Sequence, residues 1–330
     1  MVPHTFSSSA AVELAVVERG GFIESRHSGS AIVLSPDGTI RETFGDTTAP
    51  ILPRSCLKPI QALVFRAAGV ELTGASLALS AASHSGTDRH VSVVRGILGD
   101  AGVDESALRC PAAWPGDPAT REELSRRGAG PERIRMNCSG KHAAMLAACV
   151  AQGWDTSTYL DFDHPLQVQI RELIERLTGE RVQATVVDGC GAPAFAVSLA
   201  GLAKAMHRIG TSSDRSPFAL HRSAAELVAA VREQPWTIDG PGRPDTVAIE
   251  TLGVFAKTGA EGVIVMIAPD GTTAAVKILD GSARASEAVA IRLLERAGAV
   301  TPENSAAAMR ALPLQVHGAD AVVGHIRPAI

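Results

Sequence analysis

The run G-V-I-V-M-I-A-P-D-G-T-T-A-A-V-K-I-L-D-G, Gly262 to Gly281, reads as two short apolar strands folded about a turn at Pro269 to Thr272. β-Branched residues suit a pleated surface, and Pro, Asp and Gly supply the dihedrals and local hydrogen bonds of a tight turn. A second strand-rich region opens the chain. V-E-L-A-V-V-E-R, S-A-I-V-L and I-R-E-T-F fall within residues 12 to 45, and another P-D-G-T turn lies at Pro36 to Thr39. Strands at both ends with helices between them predict an α+β fold: one antiparallel sheet assembled from both chain ends, with helices packed on it.

Between these regions apolar residues recur at helical spacing. The segments are P-I-Q-A-L-V-F-R-A-A, H-V-S-V-V-R-G-I-L, K-H-A-A-M-L-A-A-C-V and H-P-L-Q-V-Q-I-R-E-L-I-E-R-L, all between Lys58 and Leu177. Asp163 and His164 before Pro165 suit a helix start. Residues 182 to 190, V-Q-A-T-V-V-D-G-C, read as a short strand ending in a turn, with helices expected over 194 to 209, 217 to 233 and 285 to 297. The stretch T-V-A-I-E-T-L-G-V-F-A-K-T-G reads as an apolar strand closed by Lys257, and 211–216 and 239–245 read as loops. No internal repeat or low-complexity linker interrupts the chain. The expected organisation is one unit over 1–330, with a sheet part at about 10–60 and 240–330 and a mainly helical part at about 60–235.

Composition narrows the function classes. The chain has 330 residues and a net charge of −4, with 45% hydrophobic and 20% charged residues. No long basic run tracks a phosphate backbone or an anionic membrane, so no nucleic acid or membrane partner is expected. The N-terminus lacks a basic region and is interrupted by Glu13, which predicts no secretory signal and a cytoplasmic protein. Its five cysteines are then expected as reduced thiols.

Four motifs bear chemistry. In R-S-C-L-K-P, Ser55 and Lys58 stand three residues apart at a helix entry, so the amine falls on the same face as the hydroxyl. Serine needs a base to become a nucleophile, and lysine is a base only if its surroundings push its pKa down from about 10.4. A capped first turn with an exposed lysine is the plain alternative. A-K-T-G-A-E-G, Ala256 to Gly262, places Lys257 on a strand beside Gly259, where a ligand can approach the backbone closely. A-A-S-H-S-G-T-D-R-H, Ala81 to His90, offers a second hydroxyl from Ser83 or Ser85, or is simply a polar loop. N-C-S-G-K-H, Asn137 to His142, and D-G-C-G, Asp188 to Gly191, bring two cysteines with Lys141 or His142 as a nitrogen donor. That set suits a soft tetrahedral ion such as zinc, with His142 the nitrogen favoured by chemistry alone because lysine must first lose a proton. Two buried thiols behaving as small hydrophobes are the alternative.

Together these pieces, with G-G-F-I-E-S-R-H-S-G-S-A at residues 20 to 31, resemble the zinc-containing rhizobial-type L-asparaginases, whose fold is similar to serine β-lactamases and glutaminases. Six co-linear matches span most of the chain. The resemblance implies hydrolysis of the side-chain amide of L-asparagine. It implies Ser55 as nucleophile, Lys58 as its base and Ser83 with Lys257 as a second Ser/Lys pair. Arg54, His142 and Asp188 then bind substrate, and Cys138, Lys141 and Cys190 hold Zn2+ with water as the fourth ligand. A homodimer is also implied. The competing readings are a glutaminase or penicillin-recognising serine hydrolase, opposed by the missing S-D-N motif and export signal, and a silent zinc-stapled amino-acid-binding protein.

Overall fold

A computed structural model describes residues 4–330. Four strands come first, β1 (Val12–Arg19), β2 (Phe22–Leu34), β3 (Ile40–Phe44) and the two-residue β4 (Pro50–Ile51). Helices α1 (Lys58–Ala67), α2 (Gly74–Ser80), α3 (Asp88–Asp100), α4 (Pro118–Arg126), α5 (Ser139–Gln152) and α6 (Pro165–Thr178) follow. Then come β5 (Ala184–Val187), β6 (Pro193–Ser198), α7 (Leu199–Gly210), α8 (Ala219–Glu233) and α9 (Pro244–Leu252). The chain ends with β7 (Phe255–Gly259), β8 (Val263–Ile267), β9 (Thr273–Ile278), α10 (Ser286–Arg296), α11 (Pro302–Ala311), β10 (Gln315–Gly318) and β11 (Ala321–Pro328).

The main sheet runs β10-β11-β1-β2-β9-β8-β7, with β3 also paired to β2. All of its pairings are antiparallel, and the β2–β9 ladder joins the two ends of the chain from Gly29 opposite Ile278 to Leu34 opposite Thr273. The α+β sheet built from both chain ends is therefore present. The Gly262–Gly281 run forms β8 and β9 about the expected turn, where Asp270 accepts the Thr272 backbone N–H at 2.8 Å. Both strands are buried at every position, so each face of the sheet is covered, with α7 and α10 packing there. Helices α1, α2, α3, α5, α6 and α8 pack on one another as the helical layer.

Two readings needed correction. Residues 193–198 form β6, between β4 and β5 in a second, three-stranded sheet, rather than the start of a helix, which begins only at Leu199. The stretch leading to Lys257 is not all strand, because Pro244–Leu252 is helix α9. His164 caps α6 as expected, accepting the Leu166 N–H at 3.2 Å.

Candidate active site

Arg54–Leu57 forms a single 3-10 turn that leads directly into α1. Arg54 sits at φ +53°, a left-handed conformation that costs energy for a side-chain-bearing residue and tends to mark functional loops. The K-T-G end of β7 lies against this turn. The Cys56 thiol donates to the Lys257 carbonyl at 3.1 Å. A Cβ on Gly259 would stand 2.2 Å from the Pro53 carbonyl oxygen, so only glycine lets the strand approach this closely. The two motifs are thus one packed unit.

Their side chains converge on Ser83. Lys58 Nζ lies 2.9 Å from Ser83 Oγ and also donates to the Ala82 carbonyl. Lys257 Nζ lies 3.1 Å from the same hydroxyl and donates to the Thr258 carbonyl at 2.7 Å. Ser55, half-buried, is not hydrogen-bonded to Lys58 in this arrangement; it lines a cavity of about 390 Å³ together with Ser83, Lys257 and Asn137. Ser85 instead has its Oγ buried without a partner. Ser83 is the serine between the lysines.

Charge is unevenly shared here. Lys58 is 2% exposed and burial pushes its ammonium down to about 8, with the neighbouring Lys257 and Lys141 adding to that fall against the pull of Cys138 and Cys190. Lys257, fully buried, has Asp245 Oδ2 at 3.6 Å. Asp245 also accepts the Thr258 backbone N–H at 2.9 Å and its hydroxyl at 2.5 Å. Glu287, another cavity wall residue, is pushed up to about 7, first by burial and then by the Asp245 charge. Asp239 is shifted upward for the same two reasons.

The sulfur cluster lies beyond the cavity wall. All five cysteines are free and buried. Cys138 stands immediately before α5, and Lys141 Nζ, one turn on, reaches Cys190 Sγ at 3.3 Å. The Cys138 thiol donates to Asn137 Oδ1 at 3.3 Å, and its pKa is raised by the neighbouring Cys190 and by burial, while Cys138 and then the Lys141 charge lower Cys190 against the effect of burial. Burial opposes the Lys141 charge, but the two sulfurs and Asp188 raise its pKa overall. Among the described residues no three His, Cys, Asp or Glu side chains group as a metal site; the third donor beside the sulfurs is Lys141. Fully buried His142 has Nδ1 2.7 Å from the Tyr159 hydroxyl, and its Nε2 has no partner. Arg54 grips Asp188 through Nε at 3.0 Å and Nη2 at 2.6 Å.

The structure thus gathers Ser55, Ser83 and Lys257 at the cavity wall with Lys58 behind them. Arg54, His142, Asp188, Cys138, Lys141 and Cys190 form an adjoining group outside that wall. Asp245, Glu287, Asp239, Arg243 and Arg284, all cavity residues, carry no sequence motif of their own. Asp239, Arg243 and Asp245 lie in the D-G-P-G-R-P-D segment read only as a loop, where the density of charge next to Gly and Pro was the available signal.

The family described as L-asparaginase II matches residues 15–328. No curated protein matches the chain. Among solved structures, a crystal structure of Mglu is 12% identical with a TM-score of 0.46, covering 92% of this chain and 73% of that one. In four further Mglu structures this chain spans 60–64% of the other chain. A Bacillus glutaminase is 12% identical, with a TM-score of 0.42 and coverage of 83% and 91%. A β-lactamase from Mycobacterium bovis is 15% identical, with a TM-score of 0.40 and coverage of 81% and 94%. Among the described residues no helix is long and apolar enough to cross a membrane.

Proposed function

We propose that this protein, which belongs to the L-asparaginase II family, hydrolyses the side-chain amide of L-asparagine to L-aspartate and ammonia. Membership makes it an asparaginase-type amidohydrolase; the substrate and the residue roles are our reading. The observation that supports it most is the Ser83 hydroxyl set between the Lys58 and Lys257 amines, beside Ser55 on a shared cavity.

In this reading Ser55 Oγ attacks the amide carbon and gives its proton to Lys58, which burial keeps partly neutral. Ser55 and Lys58 are not hydrogen-bonded in this arrangement, and catalytic hydrogen bonds often tighten only when substrate binds. Ser83 passes the proton from Lys58 toward the leaving nitrogen, with Lys257 stabilising the hydroxyl as it gives up and regains hydrogen. The C–N bond breaks, ammonia leaves and an ester remains on Ser55. Water then attacks that ester, its proton returning through the same pair, and L-aspartate departs.

Cys138, Lys141 and Cys190 fit a Zn2+ ion, two soft sulfurs with an amine that already contacts one of them. Such an ion would supply Lewis acidity or anchor the substrate's polar groups beside Ser55. Arg54, His142 and Asp188 would hold the substrate from the same side. A homodimer in the cytoplasm completes the proposal.

The test is ammonia release from asparagine and from glutamine, hydrolysis of a chromogenic β-lactam, and metal analysis of one sample. Ser55→Ala should abolish several orders of magnitude of turnover. No ammonia from either amino acid overturns the reading.

A further inference from the structure

The motif G-G-F-I-E-S-R-H-S-G-S-A, residues 20 to 31, has so far no part in the chemistry. It builds the last rungs of the β2–β9 ladder. A Cβ on Gly29 would stand 2.0 Å from the Lys277 carbonyl oxygen, so glycine is required for β2 to close on β9 there. Just past this rung, Leu279 N–H donates to the Ser28 carbonyl at 2.8 Å, and the chain leaves β9 for the loop that ends at α10. That loop carries Arg284, which lines the same cavity as Ser55, Ser83 and Lys257. His27, 3% exposed on β2, accepts the Arg284 Nε–H on its Nε2 at 2.9 Å.

The other arginine of the cavity wall is spent: Arg243 pairs with Asp239 at 3.1 Å. Arg284 has no carboxylate within 4 Å among the described residues. With Nε donating to an imidazole, its two Nη groups have no hydrogen-bond partner among the described residues, and two such donors on one planar guanidinium suit a carboxylate bidentately. A neutral His27 is what this contact needs, and burial together with the Arg284 charge lowers the His27 pKa accordingly.

We propose that Arg284 is the specificity-determining residue that binds the α-carboxylate of the amino-acid substrate, and that His27 is the positioning residue that holds it. The proposal rests on the amidohydrolase reading above, because the α-carboxylate is what distinguishes an amino-acid amide from other primary amides. It also gives residues 20 to 31 a task at the active site, His27 bracing an arginine 257 residues away in sequence.

Two amides decide it: L-asparagine and 3-aminopropanamide, which is asparagine without the α-carboxylate. Arg284→Gln should raise KM for asparagine about 10–100-fold with a smaller change in kcat, the loss expected for a charge-assisted contact, and should leave kcat/KM for 3-aminopropanamide unchanged. His27→Ala should move KM for asparagine the same way by less, and His27→Gln, whose amide oxygen can accept from Arg284, should restore it. An equal loss on both amides, or no loss on asparagine, overturns the proposal. If the wild-type protein hydrolyses neither amide, the amidohydrolase reading fails, and calorimetric binding of L-aspartate and β-alanine tests Arg284 separately. Arg284→Gln must then weaken L-aspartate alone; equal binding by wild type and variant overturns the carboxylate site.

Discussion

Lys58→Met isolates the energetic cost of burying the lysine proposed as the base. Burial lowers the Lys58 pKa from 10.5 to about 8, so the folded state releases this proton more readily than the unfolded chain does. Between pH 8 and 10.5 the unfolded state holds the extra proton, so stability rises with pH across that window; below it the folded state carries the full penalty. The difference corresponds to about 3 kcal/mol at pH 7. Methionine does not titrate, so subtracting the variant's stability curve from that of the wild type leaves the Lys58 contribution. The wild type should gain about 2 kcal/mol on the variant between pH 7 and pH 9.5 in paired urea melts. Met removes the donors to Ala82 and Ser83 at every pH, so the absolute offset mixes several effects while the pH dependence does not. The same ionisation should govern catalysis. About one Lys58 in ten is neutral at pH 7 if the pKa is about 8, so kcat/KM for asparagine should rise about fivefold from pH 7 to pH 8 and level off above pH 9. Parallel wild-type and Lys58→Met stability curves, or a rate profile flat from pH 6 to 8, would refute the argument.

Other perturbations read other parts of the site. Ser83→Ala removes the hydroxyl shared by Lys58 and Lys257 and should lower kcat for asparagine about 10²–10⁴-fold, the usual range for a lost proton-transfer group, with KM little changed. Asp245→Asn strips the carboxylate from buried Lys257 and should cost about 3–5 kcal/mol in urea unfolding at pH 7, as expected when one partner of a buried pair is removed; a loss under 1 kcal/mol would show that the pair contributes little. Gly259→Ala drives a methyl into the Pro53 carbonyl and should lower kcat strongly while far-ultraviolet circular dichroism stays native, because it displaces the turn that carries Ser55. An unchanged kcat would count against the packed-motif account.

Much of the architecture was legible because it is local. The turn at Pro269–Thr272 and the β-branched runs on either side specify a hairpin without help from distant residues, and β8 and β9 follow. The errors fall where periodicity is ambiguous. Pro193–Ser198 is a six-residue strand buried at every position, which runs straight into the apolar helix α7, and a short apolar run cannot be told from buried helix by its spacing. Thr246–Leu252 reads as part of the following strand and Pro244 as loop, although Pro244 opens the helix and Gly253 closes it at φ +65°, a start-and-stop pair that outranks apolar content. The site divides in the same way. Ser55, Lys58, Ser83 and Lys257 belong to short motifs, whereas Asp245 and Glu287 meet Thr258 from 13 and 29 residues away, and no local pattern announces them.

What the sequence could not give at all is the division of charge, on which the proposed role of Lys58 as a base depends. Lys257 has Asp245, Lys141 has the Cys190 sulfur, Arg54 has Asp188 and Arg243 has Asp239. Three of these basic side chains stand within 4 Å of a carboxylate and the fourth within 4 Å of a sulfur. Lys58 hydrogen-bonds only a carbonyl and a hydroxyl, groups that supply no net charge, and the pull of the Cys138 and Cys190 sulfurs does not offset its desolvation. It also stands close enough to Lys257 and Lys141 for both to disfavour its proton. Exchanging the surroundings of Lys58 and Lys257 would exchange their roles, since the two side chains are chemically identical. In the proposed mechanism the fold selects Lys58 rather than its neighbour by placing the nearby carboxylate beside Lys257.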